Sequence, residues 1–206
     1  MKGETAPNIV QPGAPGEGTR TLTPEELENV ERTGHTEADV RFMQEMLHHH
    51  AQALRMTSLV PRRSTRRDIA LLAKRIDLSQ TSEIELMRKW LEARNEAAPE
   101  LHPAHGHAHG TRQGRLMPGM LKEPQLKRLA RARGSAFDRL FLRSMIYHHR
   151  GAVKMVEELY AGNGGSESEI DAFARHVDSD QQIEIDRMQD LLAKLRADGL
   201  NRNSSG

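Results

Sequence analysis

One long segment of the chain occurs twice, and this repeat limits the fold more than any other feature of the sequence. The first copy, DVRFMQEMLHHHAQALRM, begins at Asp39, and the second, DRLFLRSMIYHHRGAVKM, begins 99 residues later at Asp138. Seven positions are identical in the two copies: Asp39/Asp138, Phe42/Phe141, Met46/Met145, His49/His148, His50/His149, Ala53/Ala152 and Met56/Met155. On a helix with about 100° per residue, these positions fall within roughly 120° of arc. Both copies therefore predict a helix that presents the same face to its neighbours.

A second repeat, with an offset of 101 residues, relates the segments that follow the two copies. It pairs Asp77/Asp178, Gln80/Gln181, Glu83/Glu184, Ile84/Ile185 and Met87/Met188. These positions also lie within about 120° on a helix. Each half of the chain thus predicts a helical hairpin, and two such hairpins form a four-helix bundle with approximate two-fold symmetry. Because no alternating apolar pattern of strand length occurs, the predicted fold class is all-α.

Start and stop signals set the expected boundaries. Four long helices are predicted over residues 37–60, 64–95, 135–161 and 168–199, the first of them ended by Pro61. Short helices are predicted over residues 23–34, where TPEE forms a capping box, and over residues 124–133. The predicted domain, residues 23–198, contains repeat 1 (36–95), a His-rich connection with a long crossover (96–134) and repeat 2 (135–198). Residues 1–22 are rich in Pro and Gly and predict a flexible tether, and residues 199–206 predict a disordered tail.

Composition excludes several function classes. Lys and Arg number 30 against 29 Asp and Glu, and aromatic residues make up 3%, so we expect no nucleic-acid partner. The absence of cysteine removes disulfides, thiolate metal sites and cysteine nucleophiles. No apolar run reaches the roughly 18–20 residues that a membrane span needs, and no signal-peptide core is present. The composition is compatible with both a monomer and a homo-oligomer.

The inner faces of the predicted helices carry unusual polar residues. Imidazole, amide and carboxylate groups at matching levels of a bundle cost free energy unless they pair with one another or with an ion. The bundle is therefore expected to contain one polar layer in each half, the first built from His49, His50, Gln80 and Glu83 and the second from His148, His149, Gln181 and Glu184.

Several spaced motifs together resemble the DUF305 family of mostly exported bacterial proteins. They are DVRFMQEMLHHHAQALRM, LMPGML, FDRLFLRSMIYHHRGAVKM and the two QxxEIxxM helices, and they cover about residues 36–195. The resemblance implies a ferritin-like four-helix bundle and an extracytoplasmic location (periplasmic, secreted or surface-anchored). Some members of that family are linked to copper handling, and most have no assigned activity. The resemblance carries the family's histidine pairs and methionines onto the repeated positions here, but His48 has no counterpart, because Tyr147 stands in its place.

The leading hypothesis is a transition-metal site, with copper favoured, that serves storage, buffering or resistance. Met46 lies three and four residues before His49 and His50, so the three side chains can approach one ion from a single turn. Thioether and imidazole donors suit Cu(I), with Cu(II) or another transition metal as alternatives. The predicted metal residues are Met46, His49, His50, Glu83, Met145, His148, His149 and Glu184, the two glutamates as ligands or as acceptors that orient an imidazole.

The connection contains a second candidate, the histidine-rich stretch HPAHGHAHG. It includes His102, His105, His107 and His109, and Met117 and Met120 follow shortly after. Such tracts capture Cu, Ni or Zn without a preformed geometry. A metal-collecting loop and a merely solvated loop both fit this sequence.

Two other classes of function stay open. A structural or interaction bundle would use the His–Glu layer only to fix helix register. A di-iron oxidase would require Glu-x-x-His pairs on two helices. Glu45 and His48 form one such pair, but Ser144 and Tyr147 occupy the matching positions, so an enzyme is disfavoured and no catalytic residue is assigned.

Overall fold

Helices dominate the part of the chain that the computed structural model describes, which is residues 10–11, 20–21, 34–101, 111–112 and 115–203. In chain order the elements are β1 (Val10–Gln11), β2 (Arg20–Thr21), α1 (Glu37–Thr57), α2 (Val60–Arg63), α3 (Arg67–Ala93), β3 (Thr111–Arg112), β4 (Arg115–Leu116), α4 (Glu123–Arg131), α5 (Gly134–Ala161) and α6 (Ser168–Asn203). The strands form two antiparallel pairs, β1 with β2 and β3 with β4. The prediction of an all-α fold is confirmed.

The four long helices form two hairpins, as the repeats predict. α1 packs against α3 in the first hairpin, and α5 packs against α6 in the second. The hairpins meet through α1 and α5 and also through α3 and α6. The result is a four-helix bundle in which the two repeated helices, α1 and α5, lie side by side.

The repeated aspartates tie each hairpin to the other. Asp39 forms a capping box with Thr36 at the start of α1, and its Oδ1 accepts a hydrogen bond of 2.7 Å from the backbone N–H of Gly165, between α5 and α6. Asp138, near the start of α5, accepts a hydrogen bond from the side chain of Ser64, which lies between α2 and α3. Identical residues thus make equivalent connections in the two halves, which explains why the repeat extends to the helix starts.

Two apolar clusters fill the bundle, one on each side of the repeated histidines. One cluster contains Met46, Met87 and Met155, and the other contains Met56, Met145 and Met188. Along α1 the chain passes from the first cluster at Met46 to the second at Met56, and along α5 it passes in the opposite direction. The histidines between them therefore lie in a layer that separates the clusters. All methionines among the described residues are buried.

Several predicted boundaries are wrong. Pro61 does not end the first helix, because α1 stops at Thr57 and Pro61 lies in the first turn of α2, where its missing N–H is not needed. The last helix continues past Gly199 to Asn203, so the prediction of a disordered tail is wrong for residues 199–203. Within the predicted tether, residues 10–11 pair with residues 20–21 as β1 and β2, and the flexibility of this segment stays a prediction. The short helix predicted over residues 23–34 falls almost entirely outside the described residues.

Candidate metal centre

α1 and α5 bring the two histidine pairs to the same level of the bundle. The rings of His49 and His148 lie 3.8 Å apart between centroids, with 32° between their planes. His50 is 6.4 Å from His49, and His149 is 6.3 Å from His148, again between ring centroids. All four side chains are fully buried. The central contact is thus made by one histidine from each half.

The outer histidine of each pair is hydrogen-bonded to a glutamate of the neighbouring helix. Nε2 of His50 lies 2.5 Å from Oε2 of Glu83, and Nε2 of His149 lies 2.7 Å from Oε2 of Glu184. Both carboxylates are buried. The two predicted glutamates therefore meet the predicted histidines, and the equivalent pairs have the same geometry in both halves.

Many polar atoms of this layer have no hydrogen-bond partner among the described residues. They are Nδ1 of His49, His50 and His149, both ring nitrogens of His148, Nε2 and Oε1 of Gln80, and Oε1 of Gln181. Buried polar atoms are nearly always satisfied, and one left unpaired costs about 1–3 kcal/mol. A layer with so many open nitrogen and oxygen atoms is suited to a ligand that accepts their lone pairs.

The hydrogen bonds determine which ring nitrogens offer a lone pair. Nε2 of His49 lies 3.0 Å from the carbonyl oxygen of Pro118, and an oxygen of this kind can only accept. Nε2 therefore carries the hydrogen, and Nδ1 of His49 has the free lone pair. Nε2 of His50 and of His149 likewise donates, here to a carboxylate. Nδ1 is therefore the atom of each of these three rings that is left to face a metal ion.

Electrostatics keep the central pair neutral. The pKa of His49 is lowered to about 3, first by burial and then by the nearby His50, while the hydrogen bond to Pro118 opposes the change. Burial, then the neighbouring His49, also holds the pKa of His148 well below its ordinary value. Neutral imidazole is the form that binds metal ions, so protons compete little for these two rings at neutral pH.

The segment before α4, residues 117–121, closes one side of the layer. A Cβ placed on Gly151 would lie 2.2 Å from the carbonyl oxygen of Pro118, and one on Gly119 would lie 2.5 Å from that of His148. Gln52 fixes the segment by exchanging two hydrogen bonds with the backbone of Leu121. Sequence reasoning did not find these contacts, because glycine and glutamine positions signal packing only once the neighbouring backbone is known.

The predicted methionines lie deep in the bundle on opposite sides of the histidines. Met46 and Met145 are fully buried and belong to different apolar clusters. Met117 and Met120 are also buried, both in the cluster of Met46. Coordination by these thioethers stays a prediction, whereas their role as core residues is evident from burial.

A further group of possible ligands was not predicted. The ligating atoms of Glu83, His176 and Asp180 all lie within 4.8 Å of one another. A usable signal was present, since Ser79 and Glu83 are four residues apart on one helix and His176 and Asp180 are four apart on another. Comparison of the repeats missed the group because Arg75 and Ser79 replace its histidine and aspartate in the other half.

The remaining candidates have different outcomes. His102, His105, His107 and His109 lie outside the described residues. Glu45 and His48, the pair considered for di-iron chemistry, are only partly buried and lie beside the fully buried face. Tyr147, which replaces His48 in the second half, is 54% exposed. The oxidase hypothesis therefore gains no support from this geometry.

The repeated motifs and the bundle agree with one protein family. The family model described as "Domain of unknown function (DUF305)" matches residues 39–192. The chain belongs to the DUF305 family. A comparison with curated proteins gave no match.

Solved structures of DUF305 proteins have the same fold. A presumed secreted DUF305 protein from Streptomyces coelicolor is 28% identical, with a TM-score of 0.66 over 77% of this chain and 93% of that one. A DUF305 fragment from Deinococcus radiodurans is 32% identical, with a TM-score of 0.65 over 78% and 98%. Among the described residues of the present chain, no helix is both long and apolar enough to span a membrane.

The protein CopM is also similar and has been solved with bound metal. Its Cu(II)-bound form is 26% identical with a TM-score of 0.60, and its Cu(I)-bound form is 27% identical with a TM-score of 0.58. Each comparison covers 76% of this chain and 96% of CopM. The fold of this chain is thus shared with a protein that binds copper in both oxidation states.

Proposed function

We propose that this DUF305 protein binds a transition metal, copper first, in the buried histidine layer of its bundle. The observation that carries the proposal is the set of unpaired imidazole nitrogens on His49, His50, His148 and His149. These nitrogens are buried without a hydrogen-bond partner, and the central rings of His49 and His148 are neutral, so they offer lone pairs in a place where leaving them unused costs free energy.

The donor set favours copper over hard cations. Imidazole nitrogen binds Cu, Zn and Ni, and the thioethers of Met46 and Met145 would add a preference for Cu(I). Mg and Ca prefer oxygen ligands and fit this layer poorly. Glu83 and Glu184 orient the outer imidazoles by accepting their Nε2–H groups, as carboxylates commonly do beside metal-binding histidines.

Family membership supports the same function. CopM, with 26–27% identity to this chain, is a copper-bound protein of the same fold. We extend copper binding to this chain because its own buried donors fit the ion. The presumed secreted relative from Streptomyces coelicolor supports an extracytoplasmic role in storage, buffering or resistance.

Binding would require the histidines to move. The His49 and His148 rings are partly stacked, at 3.8 Å between centroids, rather than directed at a common point. Since the surrounding layer holds open polar atoms and flexible methionines, rotation of these rings about their side-chain bonds can bring nitrogen atoms together. Metal binding would therefore be accompanied by a rotation of the His49 and His148 rings.

A structural role is the second candidate, and one observation favours it. His50–Glu83 and His149–Glu184 are closed hydrogen-bonded pairs that need no metal. In this alternative the polar layer selects the helix register, and the protein is indifferent to copper.

The deciding experiment is a Cu(I) titration against a competing chelator. The parent protein is compared with a variant that carries His49→Leu and His148→Leu, which removes the central pair and leaves both His–Glu pairs intact. The matched control changes the same type of residue elsewhere, with His102, His105, His107 and His109 replaced by Asn.

We expect the central variant to lose tight Cu(I) binding while keeping the helical circular dichroism of the parent, and the loop control to retain it. If both variants bind Cu(I) as tightly as the parent, or if the parent does not bind, the layer is structural. If only the loop control loses binding, the metal function belongs to the connection.

A further inference from the structure

The surface edge of the α3–α6 interface carries a group of donors that differs from the histidine layer. Glu83 is on α3, and His176 and Asp180 are one turn apart on α6. Nε2 of His176 lies 3.6 Å from Oε1 of Glu83, which is too long for a strong hydrogen bond. The two helices therefore hold these side chains near one another without closing the group.

Ser79 links the two carboxylates of this group. Its Oγ lies 3.1 Å from Oδ2 of Asp180 and 3.5 Å from Oε1 of Glu83. A hydroxyl has one hydrogen, so it can donate to only one of these oxygens at a time. Carboxylates held this close favour a cation between them.

One separation in the group is close to what a tetrahedral ion requires. A Zn(II) ion with bonds of about 2.0–2.2 Å separates its ligand atoms by about 3.4 Å. The 3.6 Å between Nε2 of His176 and Oε1 of Glu83 is near this value, and all three ligating atoms lie within 4.8 Å of one another. Binding would bring the more distant ligand atoms closer together.

We propose that Glu83, His176 and Asp180 form a second metal site, specific for divalent ions of the Zn(II) and Cu(II) class. One imidazole and two carboxylates are typical ligands of Zn(II) or Cu(II). Because the group contains no sulfur, we expect it to bind Cu(I) poorly. The site is open to solvent, because the His176 side chain is 55% exposed. A water molecule or the Ser79 hydroxyl can occupy the fourth position.

Glu83 connects this site to the buried layer. One oxygen, Oε1, faces His176, while the other, Oε2, accepts the Nε2–H of His50. A single carboxylate thus lies between a solvent-accessible site and a buried imidazole. The proposal stands on its own geometry and does not require that the buried layer bind copper.

The site belongs to only one half of the bundle. An offset of 101 residues places Glu184 on Glu83, Arg75 on His176 and Ser79 on Asp180. The equivalent position therefore carries an arginine, which repels cations. We expect one ion of this kind per chain, and Arg75 offers a matched control position.

The test is a Zn(II) titration against a chromophoric chelator, with the full chain in a background where His102, His105, His107 and His109 are Asn. His176→Ala and Asp180→Asn are compared with the control Arg75→Ala. Loss of an outer-shell partner already reduces metal affinity by about 10–100-fold, so loss of a ligand is expected to reduce it at least as much. His176 and Arg75 are exposed, so these two variants are expected to fold like the parent.

We expect one Zn(II) equivalent to weaken by at least tenfold in both site variants and to be unchanged in the Arg75 control. The loss should persist when His49→Leu and His148→Leu are also present, and Cu(I) affinity should not respond to His176→Ala. Equal Zn(II) binding by the parent and the site variants overturns the proposal. A tenfold loss of Cu(I) affinity in His176→Ala overturns its separation from the buried layer.

Discussion

Adjacent histidines on α5 are expected to affect stability in opposite directions. Neither ring nitrogen of His148 has a hydrogen-bond partner of normal geometry in the described structure, only a weaker approach to the backbone of His49, whereas His149 donates to Glu184. Replacement of His148 by Leu removes two unsatisfied atoms, each of which costs about 1–3 kcal/mol. Replacement of His149 by Leu instead leaves a buried carboxylate without its partner.

For each variant, the net change in the free energy of unfolding is the difference between the stabilising and the destabilising contributions. For His148→Leu, the gain is reduced by loss of the ring contact with His49, about 0.5–1.5 kcal/mol, and by repacking, less than about 1.5 kcal/mol. We expect the free energy of unfolding to rise by about 2 kcal/mol. For His149→Leu, we expect it to fall by about 3–5 kcal/mol, the usual effect of breaking a buried pair.

The assay is thermal unfolding followed by circular dichroism, with a chelator present to keep the protein free of metal. At about 2–4 °C per kcal/mol for a chain of this size, His148→Leu should raise Tm by about 4–8 °C, and His149→Leu should lower it by at least about 6 °C. A fall in Tm for His148→Leu would mean that its nitrogens are satisfied in the native protein. The argument from unpaired atoms, and with it the main support for metal binding, would then fail.

Three more predictions follow from the packing and charge of the layer. Gly151→Ala should destabilise the protein by at least about 3 kcal/mol in denaturant unfolding, because the new Cβ would meet the backbone of residues 118–119. The control Gly134→Ala, where φ is +53 but no atom lies within 4 Å, should cost only about 1 kcal/mol. Equal losses of stability in the two variants would contradict the close approach at Gly151. Since the pKa of His49 is about 3 in the fold and near 6.5 when unfolded, the unfolded chain binds the extra proton, and the free energy of unfolding of the metal-free protein should fall by about 3 kcal/mol between pH 7 and pH 4. His49→Leu should flatten this pH dependence in chemical denaturation, and an unchanged slope would refute the attribution. Ag(I), a redox-stable substitute for Cu(I), should raise Tm by about 5–11 °C at 100 times its Kd and should not do so after His49→Leu with His148→Leu.

The bundle and the core of the candidate site were predictable from sequence because the two repeats of the chain can be compared with each other. Identities at two offsets mark the residues that both halves use. All of them except exposed Asp77 and half-buried Asp178 are buried on the inner face, and they include the residues of the His50–Glu83 and His149–Glu184 contacts. The same method cannot reveal features of one half alone. His176 was missed for this reason, because the equivalent residue is Arg75.

Other differences arose from interactions distant in sequence. The hydrogen bond from His49 to Pro118 joins residues that are 69 positions apart, and nothing in the local pattern of either segment signals it. A proline can end a helix or occupy its first turn, and for Pro61 only the preceding turn at residues 58–59 distinguishes the two cases. Local propensity could not identify which role applied.

His49 and His148 occupy equivalent positions of the two repeats and contact each other, as residues on an approximate two-fold axis would. A site on such an axis can be assembled by two identical copies of one hairpin, each contributing the same residue, in the manner of an isologous dimer. Joining the copies into one chain retains that shared centre and frees each half to change independently. The two halves differ at equivalent positions outside the centre, where His48 corresponds to Tyr147 and His176 corresponds to Arg75. The fused chain can therefore surround one symmetric centre with two different surfaces.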